Sequence, residues 1–300
     1  MAAYNATNIA NAVPKIFSKD ALAVFNSTRV FSKLFKDVSS KMTLGGNTYQ
    51  QTTYTDIGSA NTKTAGSSIT LDSATLGKVD LVINTWVEKS FAIEADILED
   101  INASIPFIQD TIEMCSIKCA EALEKSIGAL FGTFTTKVGN SSSALDIDTL
   151  LDAQQTAFEK NIQGEKFLLV SPKNAYQLLK SANATYTLDV NKMGNRPLQG
   201  EGLASMANKP IPMSSILGNA IYMSNFVPHV SENKGHFNLY ATRDAIMFAT
   251  RTVGFSRDRN GVGIISLPIN DKLEYTFCAT IKYGVAKLRD TDGAVVVLAN

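Results

Sequence analysis

Histidine is scarce in this sequence of 300 residues, which contains only two, and neither sign of charge is in excess. Lysine and arginine together number 28, as do aspartate and glutamate, so the formal net charge is zero. A chain without net charge creates no overall field to attract nucleic acid or an anionic membrane surface. The composition therefore argues against a dedicated nucleic-acid-binding protein.

Long apolar segments are also missing. No run of apolar residues reaches the length of about 18 that a helix needs to cross a bilayer. The first residues lack the basic region and apolar stretch of a secretory signal, so we expect the chain to fold in a cytoplasm. With 45% hydrophobic and 19% charged residues, the sequence is typical of a globular protein of one large domain or two smaller ones.

Motifs of known catalytic and cofactor sites are absent. The sequence has no Gly-x-Ser-x-Gly elbow, no phosphate-binding loop, no dinucleotide-binding glycine motif and no His-Glu-x-x-His. His229 and His236 are too few for a histidine-based catalytic site or a multi-histidine metal site. We therefore expect no enzyme activity, no catalytic or metal-binding residues and no cofactor.

Three cysteines cannot form an even set of disulfides. Cys115 and Cys119 stand four residues apart in a helical pattern, so both thiols lie on one helix face, but no third or fourth zinc ligand is near in sequence. We interpret these two cysteines and Cys278 as core thiols.

The N-terminal segment is amphipathic and basic. Apolar residues recur at helical spacing between Pro14 and Phe35, which predicts one or two short helices. Residues 1–41 contain six basic and two acidic residues, a local net charge of +4. This pattern fits either a solvated amphipathic helix or an arm that binds an acidic partner surface. The candidate contact residues of the arm are Lys15, Phe17, Lys19, Phe25 and Lys33.

The next segment, residues 45–80, is a predicted long polar β-hairpin. Twelve of the 28 residues from Thr48 to Thr75 are serine or threonine, and the β-forming residues among them are few. Such a hairpin cannot bury a face of its own, so we expect it to project from the body and to make contacts with another surface. Its candidate contact residues are Tyr49, Tyr54, Lys63 and Ile69.

A strand and a long helix follow the hairpin. Alternating apolar and polar residues from Lys78 to Lys89 predict a half-buried strand. Apolar residues at steps of three, four or seven predict a helix from Pro106 to about Phe131, with Ser104 as its cap.

Acidic residues cluster between this strand and the first turns of the helix. Seven acidic residues between Glu88 and Glu113 stand against one lysine, a local net charge of −6. The segment is either a counterpart of the basic arm or an acidic helix start favoured by the helix dipole. It lacks the glycine turn and the spacing of a calcium-binding loop. Its candidate contact residues are Glu94, Asp96, Glu99 and Asp100.

The C-terminal half has an α/β pattern. A helix from Asp146 or Asp148 to Phe158 precedes the strand Lys166 to Val170, and Ser171 then caps a helix that runs to Leu179. Residues 181–210 are rich in Asn, Gly and Ser, which predicts a long surface loop. Further strands are predicted at Ala220 to Met223, Phe237 to Tyr240, Glu274 to Tyr283 and Ala294 to Leu298.

The order of these parts resembles the major capsid proteins of tailed bacteriophages, which have the Hong Kong 97-type fold. The stretches that carry the resemblance are Trp86 to Asp100, Pro106 to Phe131, Leu168-Leu-Val-Ser-Pro-Lys-Asn-Ala-Tyr-Gln-Leu-Leu, Arg243-Asp-Ala-Ile-Met and Tyr283-Gly-Val-Ala-Lys-Leu-Arg. Together they span nearly the whole chain.

The resemblance implies an α+β fold divided into the parts of that family. These are an N-terminal arm (1–44), an extended β-hairpin or E-loop (45–80), a peripheral or P-domain with a long spine helix (81–135), an α/β axial or A-domain (136–249), return strands of the P-domain (250–288) and a C-terminal A-domain strand (289–300).

The resemblance also implies a structural role. Copies of the chain are expected to form pentamers and hexamers of an icosahedral virion capsid, assembled in the bacterial cytoplasm. The shell encloses double-stranded DNA without sequence-specific binding, and a separate scaffolding protein and a portal protein are expected partners. No membrane is involved.

Three other interpretations remain open. An encapsulin-like shell would share the fold but enclose a cargo enzyme. An enzyme built on residues 144–250 is disfavoured by the missing motifs. A tail or other virion protein would form tubes instead of closed shells.

Overall fold

The computed structural model describes residues 29–42, 46–54, 60–69, 76–94, 107–186, 214–216, 219–231, 234–252, 256–257, 263–267 and 274–300. The α-helices in these ranges are α1 (Phe31–Leu34), α2 (Phe107–Ala129), α3 (Ile147–Glu159) and α4 (Pro172–Tyr186). The strands are β1 (Lys36–Asp37), β2 (Thr48–Tyr54), β3 (Leu76–Val82), β4 (Thr85–Glu94), β5 (Lys137–Gly139), β6 (Lys166–Val170), β7 (Ser214–Ile216), β8 (Asn219–Met223), β9 (His229–Ser231), β10 (Lys234–Thr242), β11 (Ile246–Thr252), β12 (Ser256–Arg257), β13 (Gly263–Leu267), β14 (Glu274–Lys287) and β15 (Ala294–Ala299).

The first sheet is built around β14, its longest strand. Its order is β1–β11–β14–β13–β12, and β4 pairs with the other side of β14 along ten residues. Side chains from β14, including Ala279, Ile281 and Tyr283, belong to the apolar cluster that also contains Leu123 and Ile127 of α2. The long helix therefore lies along one face of this sheet.

The predicted strand Lys78 to Lys89 is in fact two strands, which corrects the sequence analysis. The break falls at Ile83 and Asn84, between β3 and β4. The alternation of buried and exposed side chains continues across the break, with Leu81 and Ile83 buried. Periodicity alone could not locate the break because the two strands keep the same phase while pairing with different partners, β2 and β14.

The second sheet has the order β5–β15–β10–β6–β8–β7, with β9 added on β10. Helices α3 and α4 both pack on one face of it, in the cluster that contains Leu150, Ala153, Ala175 and Leu178. Helix α3 starts where it does because the Asp146 side chain accepts the Thr149 N–H at 2.9 Å. The predicted strand-helix order of this half is confirmed.

The opposite face of the second sheet shares a core with the first sheet. Phe167 and Leu239 of the second sheet belong to the same cluster as Phe248 of the first sheet and Phe131, just after α2. Phe31 of α1 lies in the same cluster, with its ring centroid 5.0 Å from that of Phe131. Burial of large aromatic side chains between the two sheets joins them into one body.

The predicted hairpin is confirmed in its pairing. β2 and β3 are antiparallel in a sheet of their own, from Thr48 opposite Val82 to Tyr54 opposite Leu76. The end of β3, the second strand of the hairpin, crosses the first sheet at Gly284 of β14. A β-carbon added at Gly284 would lie 2.1 Å from the Val82 carbonyl oxygen. Only a residue without a side chain allows this close backbone approach.

One other prediction needs correction. Helix α4 continues to Tyr186, so residues 181–186 are helical and not part of a loop. The long helix ends at Ala129, close to its predicted end at about Phe131, and its predicted start at Ser104 and Pro106 lies outside the described residues. The domain boundaries given above stay predictions.

Candidate assembly surfaces

The hairpin exposes its far end. Residues 60–69 are all exposed, and Ile69 keeps 70% of its surface accessible. Lys63 lies in the same exposed stretch, and Leu76 at the start of β3 is 63% exposed. The backbone of Tyr54 pairs with Leu76, and its side chain lies outside the described part of the structure. A polar ribbon that carries a few exposed apolar side chains is suited to contact with another surface.

Tyr49, another predicted contact residue, packs inward on its own chain. It contacts the buried cluster of Val38, Leu81 and Met247 at the base of the hairpin. Its hydroxyl donates to Gln51 Oε1 at 2.9 Å and accepts from Lys41 Nζ at 3.3 Å. Tyr49 therefore fixes the hairpin to the body, and a further role between copies stays a prediction.

A cleft of about 410 Å³ separates the hairpin base from the body. Charged side chains line it, including Lys36 and Asp244, which form an ion pair at 3.2 Å. Arg289 and Asp292, on its wall, pair at 3.3 Å. Because these charges are compensated within the chain, the cleft has little unpaired charge with which to bind an ion. No group of three or more metal-ligating side chains occurs among the described residues.

The only tryptophan of the sequence is exposed. Trp86 retains 59% of its accessible surface on β4, and Lys282 Nζ on β14 lies 4.0 Å from its ring centroid. The indole N–H donates to Thr280 Oγ1. An exposed side chain with this much aromatic surface is a candidate for contact with another molecule. Sequence analysis missed Trp86 as a candidate, although the alternation of β4 places it on the same face as Glu88.

Helix α3 exposes a second apolar patch. Leu151 and Phe158 are seven residues apart, so they lie on the same helix face, and Phe158 is 72% exposed. Lys166 Nζ lies 5.0 Å from the Phe158 ring centroid. This patch is a further candidate contact surface.

The basic arm joins the body at a buried carboxylate. Glu124 of α2 has no accessible surface, and its oxygens accept the N–H groups of Val30 at 3.1 Å, Phe31 at 2.7 Å and Ser32 at 2.9 Å. Lys33 lies in the same turn. Burial and the Arg29 guanidinium lower the pKa of Lys33, and the Glu124 carboxylate partly offsets this effect.

Most of the predicted arm and acidic contact residues lie outside the described residues. These are Lys15, Phe17, Lys19, Phe25, Asp96, Glu99 and Asp100. Glu94 ends β4, half-buried and opposite Glu274 of β14. Pairing of the arm with the acidic segment therefore stays a prediction.

Cys115 and Cys119 are core thiols as predicted, whereas the prediction is wrong for Cys278, which is only half-buried. Cys115 and Cys119 are buried and Cys278 is half-buried, all three as free cysteines. The Cys119 Sγ donates to the Ala279 carbonyl at 3.3 Å, and burial together with the neighbouring thiols raises its pKa to about 11. A protonated thiol at neutral pH is a weak nucleophile.

No family model matches the chain, and no curated protein sequence is similar to it. Solved structures do match it in fold. A chain in the capsid of Ralstonia phage GP4 superposes with a TM-score of 0.67 at 12% identity, covering 95% of this chain and 94% of that one. A chain in the capsid of the cyanophage P-SCSP1u gives 0.66 at 13% identity, covering 97% and 94%.

An encapsulin is also similar in fold. The chain of the SrpI encapsulin complex from Synechococcus elongatus gives a TM-score of 0.65 at 13% identity, covering 99% of this chain and 95% of that one. The fold is thus one that shell-forming proteins share. The chain has the fold that these phage capsid chains and the encapsulin share. No helix in the described part of the chain is both long and apolar enough to cross a membrane.

Proposed function

We propose that this chain is a major capsid protein, a structural subunit of which many copies form the pentamers and hexamers of an icosahedral shell around phage DNA. The observation that carries the proposal is the match over nearly the full length of both chains to phage capsid structures. At 12% and 13% identity this likeness concerns the fold, so the activity is our inference from it.

The surfaces of the subunit support a role in assembly. An apolar cluster that spans α2 and both sheets joins them into one body. The hairpin with its exposed Ile69, the exposed Trp86 and the α3 patch around Phe158 lie outside that cluster. Several modest contact surfaces allow one chain to occupy the slightly different environments of pentamers and hexamers, whereas one large apolar patch promotes aggregation.

The charge of the chain fits the proposed cargo. A formal net charge of zero gives the chain no overall field that would attract DNA, which is compatible with a shell that encloses DNA without sequence-specific binding. We propose a separate scaffolding protein and a portal protein as partners, and assembly in the host cytoplasm. The proposed role is structural and involves no catalysis.

An encapsulin-like compartment is the second candidate function. The similarity to the SrpI encapsulin favours it, because its TM-score of 0.65 is close to those of the two phage capsids. In that case the shell would enclose a protein cargo.

Electron microscopy and light scattering test both functions. The chain is expressed alone and together with its genomic neighbours, and particle shape and mass are measured. We expect closed shells, or pentamers and hexamers that form them. A chain that stays monomeric under every condition contradicts both shell functions, and tubes indicate a tail protein. Nuclease-protected DNA within purified shells identifies a phage capsid, whereas a co-purifying protein cargo without DNA identifies an encapsulin.

A further inference from the structure

The two histidines of the sequence lie opposite each other in the second sheet. His229 on β9 pairs with His236 on β10, and their ring centroids are 4.3 Å apart with 38° between the ring planes. One position along the ladder, the Phe237 N–H donates to the Pro228 carbonyl at 2.9 Å. Positions next to a hydrogen-bonded pair in an antiparallel ladder are those where opposite side chains approach most closely.

One nitrogen of the His236 ring is available to a ligand. The Nδ1 atom of His236 is buried and has no hydrogen-bond partner among the described residues. An imidazole nitrogen that carries no hydrogen has a lone pair that can bind a metal ion. Burial and the nearby His229 and Lys173 lower the pKa of His236, which favours the neutral, ligating form.

The separation of the rings suits a shared ion. With metal–nitrogen bonds of about 2.0–2.1 Å and an angle near 90° at the metal, two imidazole centroids lie about 4.5 Å apart. The observed 4.3 Å is close to that value. His229 is exposed, so its ring is free to turn until its lone pair meets the ion.

We propose that His229 and His236 form a two-histidine binding site for a divalent transition-metal ion of the nickel, copper and zinc group. Water molecules fill the remaining coordination positions. Imidazole is a preferred ligand of these ions.

The surroundings indicate a weak, exchangeable site. The Lys173 ammonium, near His236, donates to Asn300 Oδ1 at 3.1 Å and repels a bound cation. No carboxylate or thiol joins the pair in a cluster of three among the residues whose placement is described. The ion would hold β9 against β10 without being needed for folding.

Calorimetric titration of the full-length chain with Ni²⁺ at about pH 7.5 tests the proposal. We expect one ion per chain, with affinity lowered about tenfold or more by His229→Gln or by His236→Gln and lost in the double variant. Binding also weakens at about pH 5, where protons compete for the imidazoles. Because these are the only histidines, no other imidazole contributes to the signal.

Two control variants distinguish Ni²⁺ binding at the two histidines from Ni²⁺ binding elsewhere on the chain. Cys278→Ser removes the half-buried thiol and is expected to leave Ni²⁺ affinity unchanged. Lys173→Gln removes the neighbouring cation and is expected to raise the affinity, which a purely structural role of the histidines would not produce. If the His236 variant is unstable, His229→Gln decides the question, since His229 is exposed. Absence of Ni²⁺ binding by the unmodified chain, or equal binding by the double variant, overturns the proposal. Neither result depends on whether shells form.

Discussion

The Glu124 carboxylate accepts the Phe31 N–H at 2.7 Å, although the two residues are 93 positions apart. The N–H groups of Val30 and Ser32 bind the same carboxylate. Amide groups at the start of a helix have no partner within it, and here a side chain of α2 supplies the acceptors for α1. The path by which the basic arm enters the body is therefore fixed by one buried carboxylate.

Replacing this carboxylate with an amide should weaken the junction. Glu124→Gln keeps the shape but leaves one acceptor oxygen, and it turns an NH₂ group toward backbone donors. We expect the free energy of unfolding to fall by about 2–3 kcal/mol, as measured by urea denaturation. Glu113→Gln, at an exposed position of the same helix, is the matched control and should change stability by less than about 0.5 kcal/mol. Equal effects of the two variants would contradict the assigned role of Glu124.

A β-carbon at Gly284 should push the hairpin away from the sheet. All three of the nearest atoms to that position, in Val82 and Ile83, are backbone atoms, so no side-chain rotation relieves the clash. We expect Gly284→Ala to cost about 1–3 kcal/mol of stability and to speed proteolysis within the hairpin. Gly46→Ala is the control, because its β-carbon would meet the nearest atom at an ordinary 3.8 Å. A Gly284 variant as stable as the control would show that the crossing is looser than described.

Removing the exposed end of the hairpin should separate folding from assembly. Residues 60–69 are all exposed and bury no core side chain, so their deletion is expected to leave the core folded and its free energy of unfolding largely unchanged. The paired strands β2 and β3 and the Tyr49 contacts stay in place. We expect the variant to sediment as a subunit that no longer forms shells. Normal particles from this variant would remove the hairpin end from the assembly surfaces.

Alkaline pH should destabilise the protein through Cys119. Burial and the Cys115 and Cys278 thiols raise its pKa from 9.0 to about 11, so the native state keeps a proton that the unfolded chain loses. The resulting stabilisation is fully present below about pH 9 and is lost as the pH rises from about 9 to 11. Urea denaturation between about pH 9 and 11 measures how steeply the free energy of unfolding falls with pH.

The control for this pH effect is Cys119→Ala, which removes the titrating group. Its slope of stability against pH should be shallower than that of the unmodified chain, whatever its absolute stability. Tyr240, whose pKa burial raises from 10.0 to about 12, adds a loss at higher pH in both proteins. Identical slopes between about pH 9 and 11 would show that Cys119 is not responsible.

Local sequence signals predicted much of the secondary structure in the second half of the chain. Asp146 and Ser171 mark the starts of α3 and α4 because short polar side chains cap the free amides of a first turn. The strand Lys166–Val170 was predicted at its observed ends, since four buried apolar residues follow one another there. The alternation around Leu81 also fixed which side chains face the core. These features depend on contacts between near neighbours.

Contacts between distant segments had to come from the tertiary structure. The sequence contains Glu124 within an amphipathic helix, and nothing near it indicates that its partners lie at Val30 and Phe31. The break between β3 and β4 is hidden by a constant alternation, because it reflects a change of pairing partner.

The same distinction holds for the surfaces. The missing motifs argued against an enzyme, and the resemblance to phage capsid proteins implied a structural role. The exposure of Trp86 and the approach of His229 to His236 depend on strand register. Register is set by long-range pairing and core packing, which periodicity in one strand does not encode. The sequence by itself determined the order of elements and their buried faces, and only the tertiary structure decided which distant residues meet.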